Sequence, residues 1–299
     1  MSRENLRGAL FMVVSMAFFA CEDMFVKLLS AELPYTQVLT VTGLLGCTVF
    51  TVMLKLKGGR LFTRDLLHPT ILIRNLGEII GSISFVMALA LSDISTASAI
   101  LQALPLVVVL GAALFLGEQV GWRRWLAIII GFAGVLLIIR PGMSGFQPVS
   151  LLALLSVFGL AVRDLATRMI PRHVQSDQLG ASAFLAMAIA APPFGLLMGH
   201  GFVPMTGGHV MTFALCAGFG VAGYATLVAA TRLGEISAIA PYRYARLVFA
   251  LIIGVVIFRE RPDLLTLVGA GIIVASGCYT MLREAQLRRR KLREAGLLA

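Results

Sequence analysis

Charged side chains are scarce in this sequence, and their scarcity excludes most soluble proteins. Asp, Glu, Lys and Arg make up 13% of the 299 residues, whereas they make up about a quarter of a typical soluble domain. Hydrophobic residues make up 59%, and the mean hydropathy is +0.92. A soluble protein of this length has too little interior to bury so many apolar side chains. The composition therefore excludes an ordinary soluble enzyme and a disordered chain, and it predicts an all-α integral membrane protein.

Cysteine and histidine are also rare, with four residues of each. Every cysteine lies inside an apolar segment and none forms a close-spaced pair, which favours small core residues over disulfides or metal ligands. The cysteines are Cys21, Cys47, Cys216 and Cys278. The histidines fall in loops or at the ends of apolar segments, where a place at the membrane interface is favoured over a proton relay. The sequence therefore predicts no metal ion and no cofactor.

Apolar stretches long enough to cross a bilayer occur ten times. A helix needs about 20 mostly apolar residues to span the hydrocarbon core. The connections between the stretches are short, so consecutive helices are expected to be antiparallel neighbours, with no room for a separate soluble domain. We predict ten transmembrane helices, near residues 8–29, 34–54, 71–91, 94–116, 122–139, 148–168, 179–199, 210–230, 236–258 and 264–282.

Basic residues predict the orientation of these helices. If the N-terminus is cytoplasmic, ten spans return the C-terminus to the cytoplasm, and 17 lysines and arginines then lie on the cytoplasmic side against four on the other. Positive charge is enriched on the cytoplasmic side of membrane proteins, so both termini are predicted to be cytoplasmic. Residues 284–299 form a basic cytoplasmic tail, interpreted as a helical anchor at the lipid surface. A nucleic-acid partner is not predicted.

The two halves of the chain resemble each other at an offset of about 142 residues. Residues 93–95 (Asp-Ile-Ser) match residues 235–237 (Glu-Ile-Ser), and residues 116–118 (Leu-Gly-Glu) match residues 258–260 (Phe-Arg-Glu). The unit of this repeat holds five spans.

An odd number of spans has a consequence for topology. Residues 1–142 and 143–283 are predicted to form two five-helix repeats, and the second copy must enter the membrane from the opposite side. The prediction is therefore an inverted repeat, N-in and C-in. Inverted repeats recur in secondary transporters, because they allow one fold to form inward-open and outward-open states.

Two arginines inside the ninth span are hard to explain by topology. Arg243 and Arg246 lie three residues apart near its middle, so they share a helix face. Charges within a membrane are costly and need a partner or a purpose. The available acids are Glu22, Asp23, Glu78 and Asp164, with Glu78 the first choice. Two interpretations stay open. One is a closed structural ion-pair network, and the other is a central site in which Arg243 binds a carboxylate or phosphate.

Neighbouring polar residues extend this candidate site. Tyr242 and Tyr244 flank Arg243 and can stack on a cargo or hydrogen-bond to it. Gln102 is the repeat equivalent of Tyr244, and the nearby Pro105 and Pro241 are expected to allow local bending. The predicted substrate-binding residues are Glu78, Gln102, Tyr242, Arg243, Tyr244 and Arg246. A second group, predicted to couple protons or to form a buried charge network, comprises Glu22, Asp23, Arg163 and Asp164.

Charged residues at the span ends are interpreted as structural. Lys27 and Arg168 are expected to reach the interface, each paired with the acid four residues earlier, Asp23 or Asp164. Two glutamates that follow the fourth and ninth spans are expected to hold loops rather than to bind cargo; they are Glu118 and Glu260.

Two segments carry a resemblance to a known family. Residues 104–142, LPLVVVLGAALFLGEQVGWRRWLAIIIGFAGVLLIIRPG, and residues 246–277, RLVFALIIGVVIFRERPDLLTLVGAGIIVASG, resemble EamA-type members of the drug/metabolite transporter superfamily. The runs APYRY (240–244) and FRERPD (258–263) resemble, more weakly, the S-adenosylmethionine uptake carriers. The resemblance implies a metabolite carrier of the bacterial inner membrane with ten spans in two halves. Other relatives move amino acids, riboflavin or nucleotide sugars, so it does not identify the cargo.

The predicted function is a secondary-active or exchange transporter that moves a small polar or amphipathic metabolite by alternating access, with S-adenosylmethionine-like cargo as one candidate. The alternative is an exporter of amino acids, other metabolites or drugs with the same fold. An intramembrane enzyme is disfavoured, because the one serine-protease-like match, residues 180–183, is unspecific. A channel is disfavoured, because the predicted symmetry is internal. The predicted partners are a small-molecule metabolite and the lipid bilayer, and both a monomer and a homodimer stay open.

Overall fold

The computed structural model describes residues 3–118, 120–143, 146–171, 173–199, 201–233 and 239–294, and these residues form helices and connecting loops without strands. Two short 3₁₀ helices occur, at Arg64–Leu67 and Ala240–Tyr244. The α-helices are α1 (Arg3–Glu32), α2 (Tyr35–Leu56), α3 (Pro69–Leu91), α4 (Ile94–Leu101), α5 (Leu104–Phe115), α6 (Trp122–Ile139), α7 (Ser150–Arg168), α8 (Ser176–Leu197), α9 (Gly207–Leu233), α10 (Ala245–Val256) and α11 (Leu264–Glu294).

Within the described residues, nine helical segments are long and apolar enough to cross a membrane, and α4 with α5 counts as one of them. The predicted ninth span appears as the 3₁₀ helix Ala240–Tyr244 followed by the 12 residues of α10. Its first residues, and with them the repeat match at 235–237, lie outside the described part of the chain. The prediction of a multi-pass helical membrane protein is confirmed, while the count of ten spans stays a prediction.

The predicted fourth span is interrupted in its middle. Helix α4 ends at Leu101 and α5 begins at Leu104, with Pro105 in its first turn. Proline has no N–H to donate to the preceding turn, so the break falls where the sequence predicts bending. The repeat-equivalent position lies in the 3₁₀ helix that contains Pro241 and Tyr244. Gln102 follows α4 directly, so it lies where the helical hydrogen bonding is interrupted and not on a regular helix face.

Four helix pairs make the largest contacts in the described structure: α1 with α9, α3 with α7, α2 with α8, and α6 with α11. The predicted repeat relates α1 to α7, α3 to α9, α2 to α8, and α6 to α11. Under this relation the α1–α9 pair corresponds to the α7–α3 pair. The α2–α8 pair and the α6–α11 pair each correspond to themselves. The pairing is the pattern that a two-fold axis between two five-helix halves would produce.

Glycines allow the tightest of these contacts, between α3 and α7. A Cβ placed on Gly77 would lie 2.7 Å from the carbonyl oxygen of Gly159, and a Cβ on Gly81 would lie 3.0 Å from the backbone nitrogen of Leu160. Small residues bring helix backbones together where lipid supplies no hydrophobic driving force. The contact fixes the position of Arg163, which lies one turn after Gly159 on α7.

The bundle has two ends that must be distinguished. The α4 end is where α4 begins and where α1, α3 and α10 finish, and the α8 end is where α8 begins and α7 finishes. The N-terminal segment of α11 lies at the α4 end, and the helix continues to Glu294 at the other end. The predicted basic tail is therefore helical as far as residue 294, and residues 295–299 lie outside the described part of the chain.

Candidate functional site

A cavity of about 430 Å³ lies beside the break between α4 and α5. We name it the arginine cavity, because Arg243 and Arg246 both line it. Thr167 and Arg168, at the end of α7, also line it, so the cavity reaches the α8 end. Its other lining residues are Met16, Phe19, Leu101, Gln102, Leu104, Pro105, Leu106, Val108, Val109, Asp164, Tyr244, Gly277, Thr280 and Met281.

Three polar groups on this cavity have no protein partner among the described residues. The side-chain nitrogen Nε2 of Gln102 and the hydroxyl of Tyr244 are buried without a hydrogen bond, and these side chains belong to residues that are 9% and 5% exposed. No ion pair or hydrogen bond is found for the guanidinium of Arg243 within the described part of the chain. Buried donors are nearly always satisfied in native proteins, so the two buried groups are unusual, although the Tyr244 hydroxyl lies against Gly277. Arg243 is exposed and adds a positive charge beside them.

Arg246 is neutralised by Asp23 on α1. Its Nη2 lies 2.7 Å from Oδ2 and 2.8 Å from Oδ1 of Asp23, and its Nε lies 3.0 Å from Oδ2. The guanidinium also stacks near the rings of Phe19 and Phe85, at 5.6 and 5.9 Å from the ring centroids. The first choice of partner, Glu78, is wrong, because Glu78 is paired with Arg163, while Asp23, another of the acids considered, lies on the helix that packs against α10. Among the described residues Arg243 then has no hydrogen-bonded acid, and Asp164 is the nearby acid whose charge acts on it.

A second cavity, of about 450 Å³, lies between α1, α2, α3, α7, α8 and α9. We name it the aromatic cavity, because Phe50, Phe184 and Tyr224 line one side of it. The Phe50 and Phe184 rings are stacked at 5.6 Å, and the Phe50 and Tyr224 rings meet edge to face at 5.0 Å. Ser176, the first residue of α8, also lines it, so this cavity too reaches the α8 end. Phe19 and Thr167 line both cavities.

Arg163 stands between the two cavities and holds two acids. Its Nη2 lies 2.8 Å from Oδ1 of Asp164, which lines the arginine cavity. Its Nη1 lies 3.4 Å from Oε2 of Glu78, which lines the aromatic cavity and also accepts a 3.1 Å hydrogen bond from the hydroxyl of Ser82. The pairing links α7 to α3 across their glycine contact. One guanidinium faces two carboxylates there, so one negative charge is left over.

The α4 end of the bundle is sealed by Glu260. Its carboxylate accepts hydrogen bonds from the backbone nitrogens of Ile94 (2.7 Å) and Ser95 (3.0 Å) and from the Ser95 hydroxyl (2.6 Å). These are the unsatisfied donors that begin α4, so a residue of the second half caps a helix of the first. Burial and the charge of Glu260 raise the pKa of the neighbouring Asp93, while Lys27 opposes the shift.

Lys27 completes this seal. Its Nζ lies 3.7 Å from Oε1 of Glu260 and donates to the carbonyl oxygens of Leu89 (3.0 Å) and Ser92. The expected pair between Lys27 and Asp23 is wrong, because Asp23 is taken by Arg246. The expectation that Glu260 holds a loop is confirmed, and Ser95 is the partner that the sequence did not reveal.

The α8 end carries the repeat-equivalent pair. Arg168 contacts Glu118 with Nη1 3.1 Å from Oε1, and not Asp164 as expected, because Asp164 is held by Arg163. The backbones of the two glutamate turns correspond. Gly117 and Arg259 both adopt left-handed conformations, with φ of 67° and 55°. The nitrogens of Glu118 and Glu260 bond back to carbonyl oxygens six residues earlier, at 3.2 and 2.8 Å.

Comparison with known proteins decides the family. Residues 6–140 match the EamA-like transporter family, and residues 147–282 match it a second time. The two matches cover most of the chain. The chain belongs to the EamA-like transporter family. The structural and sequence resemblance between its halves is therefore a property of a two-repeat transporter family.

Curated relatives of this EamA-like chain are named for different cargoes. It is 28% identical to the S-adenosylmethionine uptake transporter of Rickettsia felis over 74% of each chain. It is 29% identical to the riboflavin transporter of Vibrio cholerae over 96% of each chain. It is 25% identical to a pseudopaline exporter of Pseudomonas aeruginosa over 92% of this chain and 96% of the relative. A crystal structure with 18% identity superimposes with a TM-score of 0.59 over 95% of this chain and 99% of the other, which shows a shared fold.

The structure divides the predicted site residues of the EamA-like chain between the two cavities. Those on the arginine cavity are Gln102, Asp164, Arg243, Tyr244 and Arg246, and those on the aromatic cavity are Glu22, Glu78 and Arg163. Asp23 supports Arg246 from α1. Tyr242 lines neither cavity and is 37% exposed, because the 3₁₀ helix turns neighbouring side chains in different directions.

Sequence reasoning missed the aromatic wall of Phe50, Phe184 and Tyr224 as well as Arg74. Arg74 lines the aromatic cavity and donates from Nη1 to the carbonyl oxygen of Leu179 (3.0 Å). A long apolar span offers many phenylalanines, and nothing in the order of residues distinguishes those that line a cavity from those that face lipid.

Proposed function

We propose that this EamA-like chain is a secondary transporter whose cargo carries a carboxylate or another anionic, acceptor-rich group that binds in the arginine cavity. The observation that carries the proposal is that Gln102, Arg243 and Tyr244 line one cavity and that no partner is found for their side-chain donors among the described residues. All three groups can donate hydrogen bonds. The cargo is a small polar or amphipathic metabolite, and the carboxylate of an S-adenosylmethionine-like molecule has the required chemistry.

The charge of the cavity favours an anion. Arg246 is paired with Asp23, and the ion pair of Asp164 is with Arg163, which it shares with Glu78. Among the described residues Arg243 has no ion pair of its own, and Asp164 is the nearby acid whose charge acts on it. A guanidinium in a low-dielectric site attracts an anion more strongly than it would in water, and its planar fork matches a carboxylate. The site therefore recognises the charged end of a cargo and leaves the rest of the molecule to the apolar lining.

Transport proceeds by alternating access in this proposal. Both cavities reach the α8 end, where Glu118 and Arg168 are exposed, while the equivalent Glu260 and Lys27 seal the α4 end. Residues 1–142 and 143–283 act as the two inverted repeats, and rocking of one against the other exchanges the open and closed ends. Coupling to a proton gradient and simple exchange are both compatible with this cycle.

The orientation gives this state a direction. The excess of basic residues supports N-in and C-in topology in a bacterial inner membrane, with the tail 284–299 at the cytoplasmic surface. In this proposal the α8 end faces the cytoplasm, and the cavities that reach this end belong to an inward-open state. A monomer contains both repeats, and a homodimer is compatible with the same site.

Uptake into proteoliposomes tests the cargo site. The panel contains S-adenosylmethionine, carboxylate-bearing amino acids and riboflavin, which has no carboxylate. We expect Arg243→Ala to lower uptake of the transported carboxylate compound about 30- to 100-fold, since a hydrogen bond to a charged group contributes about 2–3 kcal/mol. Arg243→Lys should retain part of the activity.

Arg123→Ala is the matched control, because Arg123 is an exposed arginine at the start of α6 that lies over the Trp122 ring. Its uptake should equal that of the unchanged protein. Uptake that is undiminished in Arg243→Ala for every cargo tested would show that the arginine cavity is not the site.

Export is the second candidate, favoured by the match of nearly the whole chain to an exporter. The pseudopaline exporter of Pseudomonas aeruginosa aligns over 92% of this chain. The same site serves both directions, and the gradient decides the net flux. Proteoliposomes of defined orientation, loaded with cargo on one side, distinguish the two: an importer accumulates cargo against a gradient in the inward sense, whereas an exporter depletes it.

A further inference from the structure

We propose that the aromatic cavity is a binding site for an organic cation, an ammonium or sulfonium group, with Glu22 as its counter-ion. Glu22 lies on α1 and lines this cavity. No hydrogen bond or ion pair of its carboxylate is found among the described residues. The site is separate from the arginine cavity, and the proposal holds whichever cargo that cavity takes.

The repeat relation explains why this carboxylate has no partner. Glu22 corresponds to Arg163 in the second half, at the offset that relates Asp23 to Asp164. Arg163 on α7 is held by Glu78 on α3. The residue of α9 that corresponds to Glu78 is Gly220. Arg163 therefore contacts an acid on α3, whereas Glu22 contacts a glycine on α9.

Gly220 leaves room at the carboxylate. A Cβ placed on this residue would lie 2.8 Å from Oε1 of Glu22, so any larger side chain would displace the carboxylate. The arginine that approaches Glu22, Arg246, is committed to Asp23 by three hydrogen bonds. Gly220 thus makes room for the carboxylate itself, and the open space beside Glu22 is the cavity that it lines. Among the described residues the chain pairs no cation with it, and a charged acid in this setting needs one.

Aromatic rings form another part of the lining of this cavity. Phe50 contacts both Phe184 and Tyr224, and Gly46 and Gly180 provide the room in which the Phe184 and Phe50 rings lie. Ring faces attract cations that have shed little hydration, and aromatic enclosures recognise quaternary ammonium groups in this way. One carboxylate and three rings cannot replace the shell of six or more oxygens that a hard metal ion requires. The chemistry therefore favours an organic cation.

The other charged residues that line this cavity are Arg74, Glu78 and Arg163. Arg163 and Glu78 form an ion pair. Arg74 lies in the second turn of α3 and is hydrogen-bonded to Leu179 near the start of α8, whereas Glu22 faces Gly220 in the middle of α9. A cation bound beside Glu22 is thus separated along the bundle from the positive charge of Arg74.

Benzyltrimethylammonium is a suitable probe, because its charge does not depend on pH and its ring suits the aromatic wall. Binding to the full-length protein in detergent is measured by isothermal titration calorimetry. We expect Glu22→Gln to weaken binding about tenfold or more, since an ion pair out of water is replaced by a weaker dipole contact. Benzenesulfonate, an aromatic anion, should not bind at this site.

Two further variants make the result decisive. Glu4→Gln is the matched control, an exposed carboxylate on the same helix outside the cavity, and it should bind the probe like the unchanged protein. Gly220→Ala keeps every charge but displaces the Glu22 carboxylate, and it should weaken binding while the protein still elutes as a folded species. Equal affinities in the unchanged protein and in folded Glu22→Gln would overturn the proposal, as would failure of the unchanged protein to bind the probe. Because no transport is measured, these outcomes are independent of the Arg243 experiment.

Discussion

The two ends of the bundle carry the same ion pair in different environments. At the α4 end, the side chains of Lys27 and Glu260 are 16% and 4% exposed, and Glu260 also caps α4. At the α8 end, the side chains of Arg168 and Glu118 are 47% and 43% exposed. In the proposed mechanism the two repeats exchange the environments of these pairs, so the difference between them is expected to depend on the state of the transporter.

The comparison shows that a basic residue paired with a glutamate can be buried at one end of the bundle and exposed at the other. A buried carboxylate with three hydrogen bonds and a lysine is strongly held, since breaking it leaves charges and backbone donors unpaired. An exposed pair is screened by solvent and contributes little. The difference predicts that the ion pair at the α4 end contributes more to the free energy of unfolding than the pair at the α8 end.

Removal of the Glu260 carboxylate should have the largest effect. We expect Glu260→Ala to lower the stability of this state by about 3 kcal/mol, because Lys27 and the N–H groups of Ile94 and Ser95 lose their acceptor. Thermal unfolding in detergent measures the loss. Glu118→Ala is the matched control at the other end, with an expected change below about 1 kcal/mol. Equal shifts in the two variants would show that the two ends do not differ in energy.

Cysteine accessibility should distinguish the ends next. In a background without the four native cysteines, Thr167→Cys lies on both cavities and Ser95→Cys lies under the seal. A water-soluble maleimide should modify position 167 quickly and position 95 slowly, because buried groups react only after local opening. Labelling rates read by mass spectrometry test this. Adding Glu260→Ala should raise the labelling rate at position 95 and leave the rate at position 167 unchanged. Similar labelling rates at the two positions in the protein that retains Glu260 would contradict a closed α4 end.

Double-mutant cycles should sharpen the contrast at the level of single pairs. Lys27→Met combined with Glu260→Gln should reveal a coupling of about 1–3 kcal/mol, whereas Arg168→Met with Glu118→Gln should reveal about 0.3 kcal/mol. The unfolding free energies of the single and double variants give both couplings. A larger coupling at the α8 end would reverse the assignment of the sealed end.

The smallest effect is expected from Asp263, which follows α10 at the α4 end. The hydrogen bond from Arg140, with one from Thr266, lowers the pKa of Asp263 to about 2. A folded-state pKa below the unfolded value gives stability that is present near neutral pH and is lost as the pH falls from about 4 towards 2. Because the Asp263 side chain is 50% exposed, we expect Asp263→Asn to cost about 0.5 kcal/mol near neutral pH. Unfolding curves of the two proteins should converge near pH 2, and a constant gap would exclude this carboxylate as the titrating group.

Local features of the structure followed from the sequence where they depended on neighbouring residues. The break near Gln102 falls beside Pro105, because proline removes a backbone donor wherever it stands. The role of Glu260 in holding a loop followed from its place after a span. The partners of Lys27, Arg168 and Arg246 did not follow, because each guanidinium or ammonium has several acids within reach and the packing of helices decides among them.

The sequence by itself determined the helical membrane character, the two-repeat pattern and the residues whose charge needs an explanation, because apolar length and periodicity are local properties. Tertiary structure decided that Glu78 serves Arg163, that Asp23 serves Arg246, and that Glu22 stands beside Gly220 with no partner among the described residues. It also decided which of two equivalent pairs is sealed. The physical reason is that the two halves carry equivalent charged residues, so the sequence does not decide which pair is buried. The packing of the helices decides it.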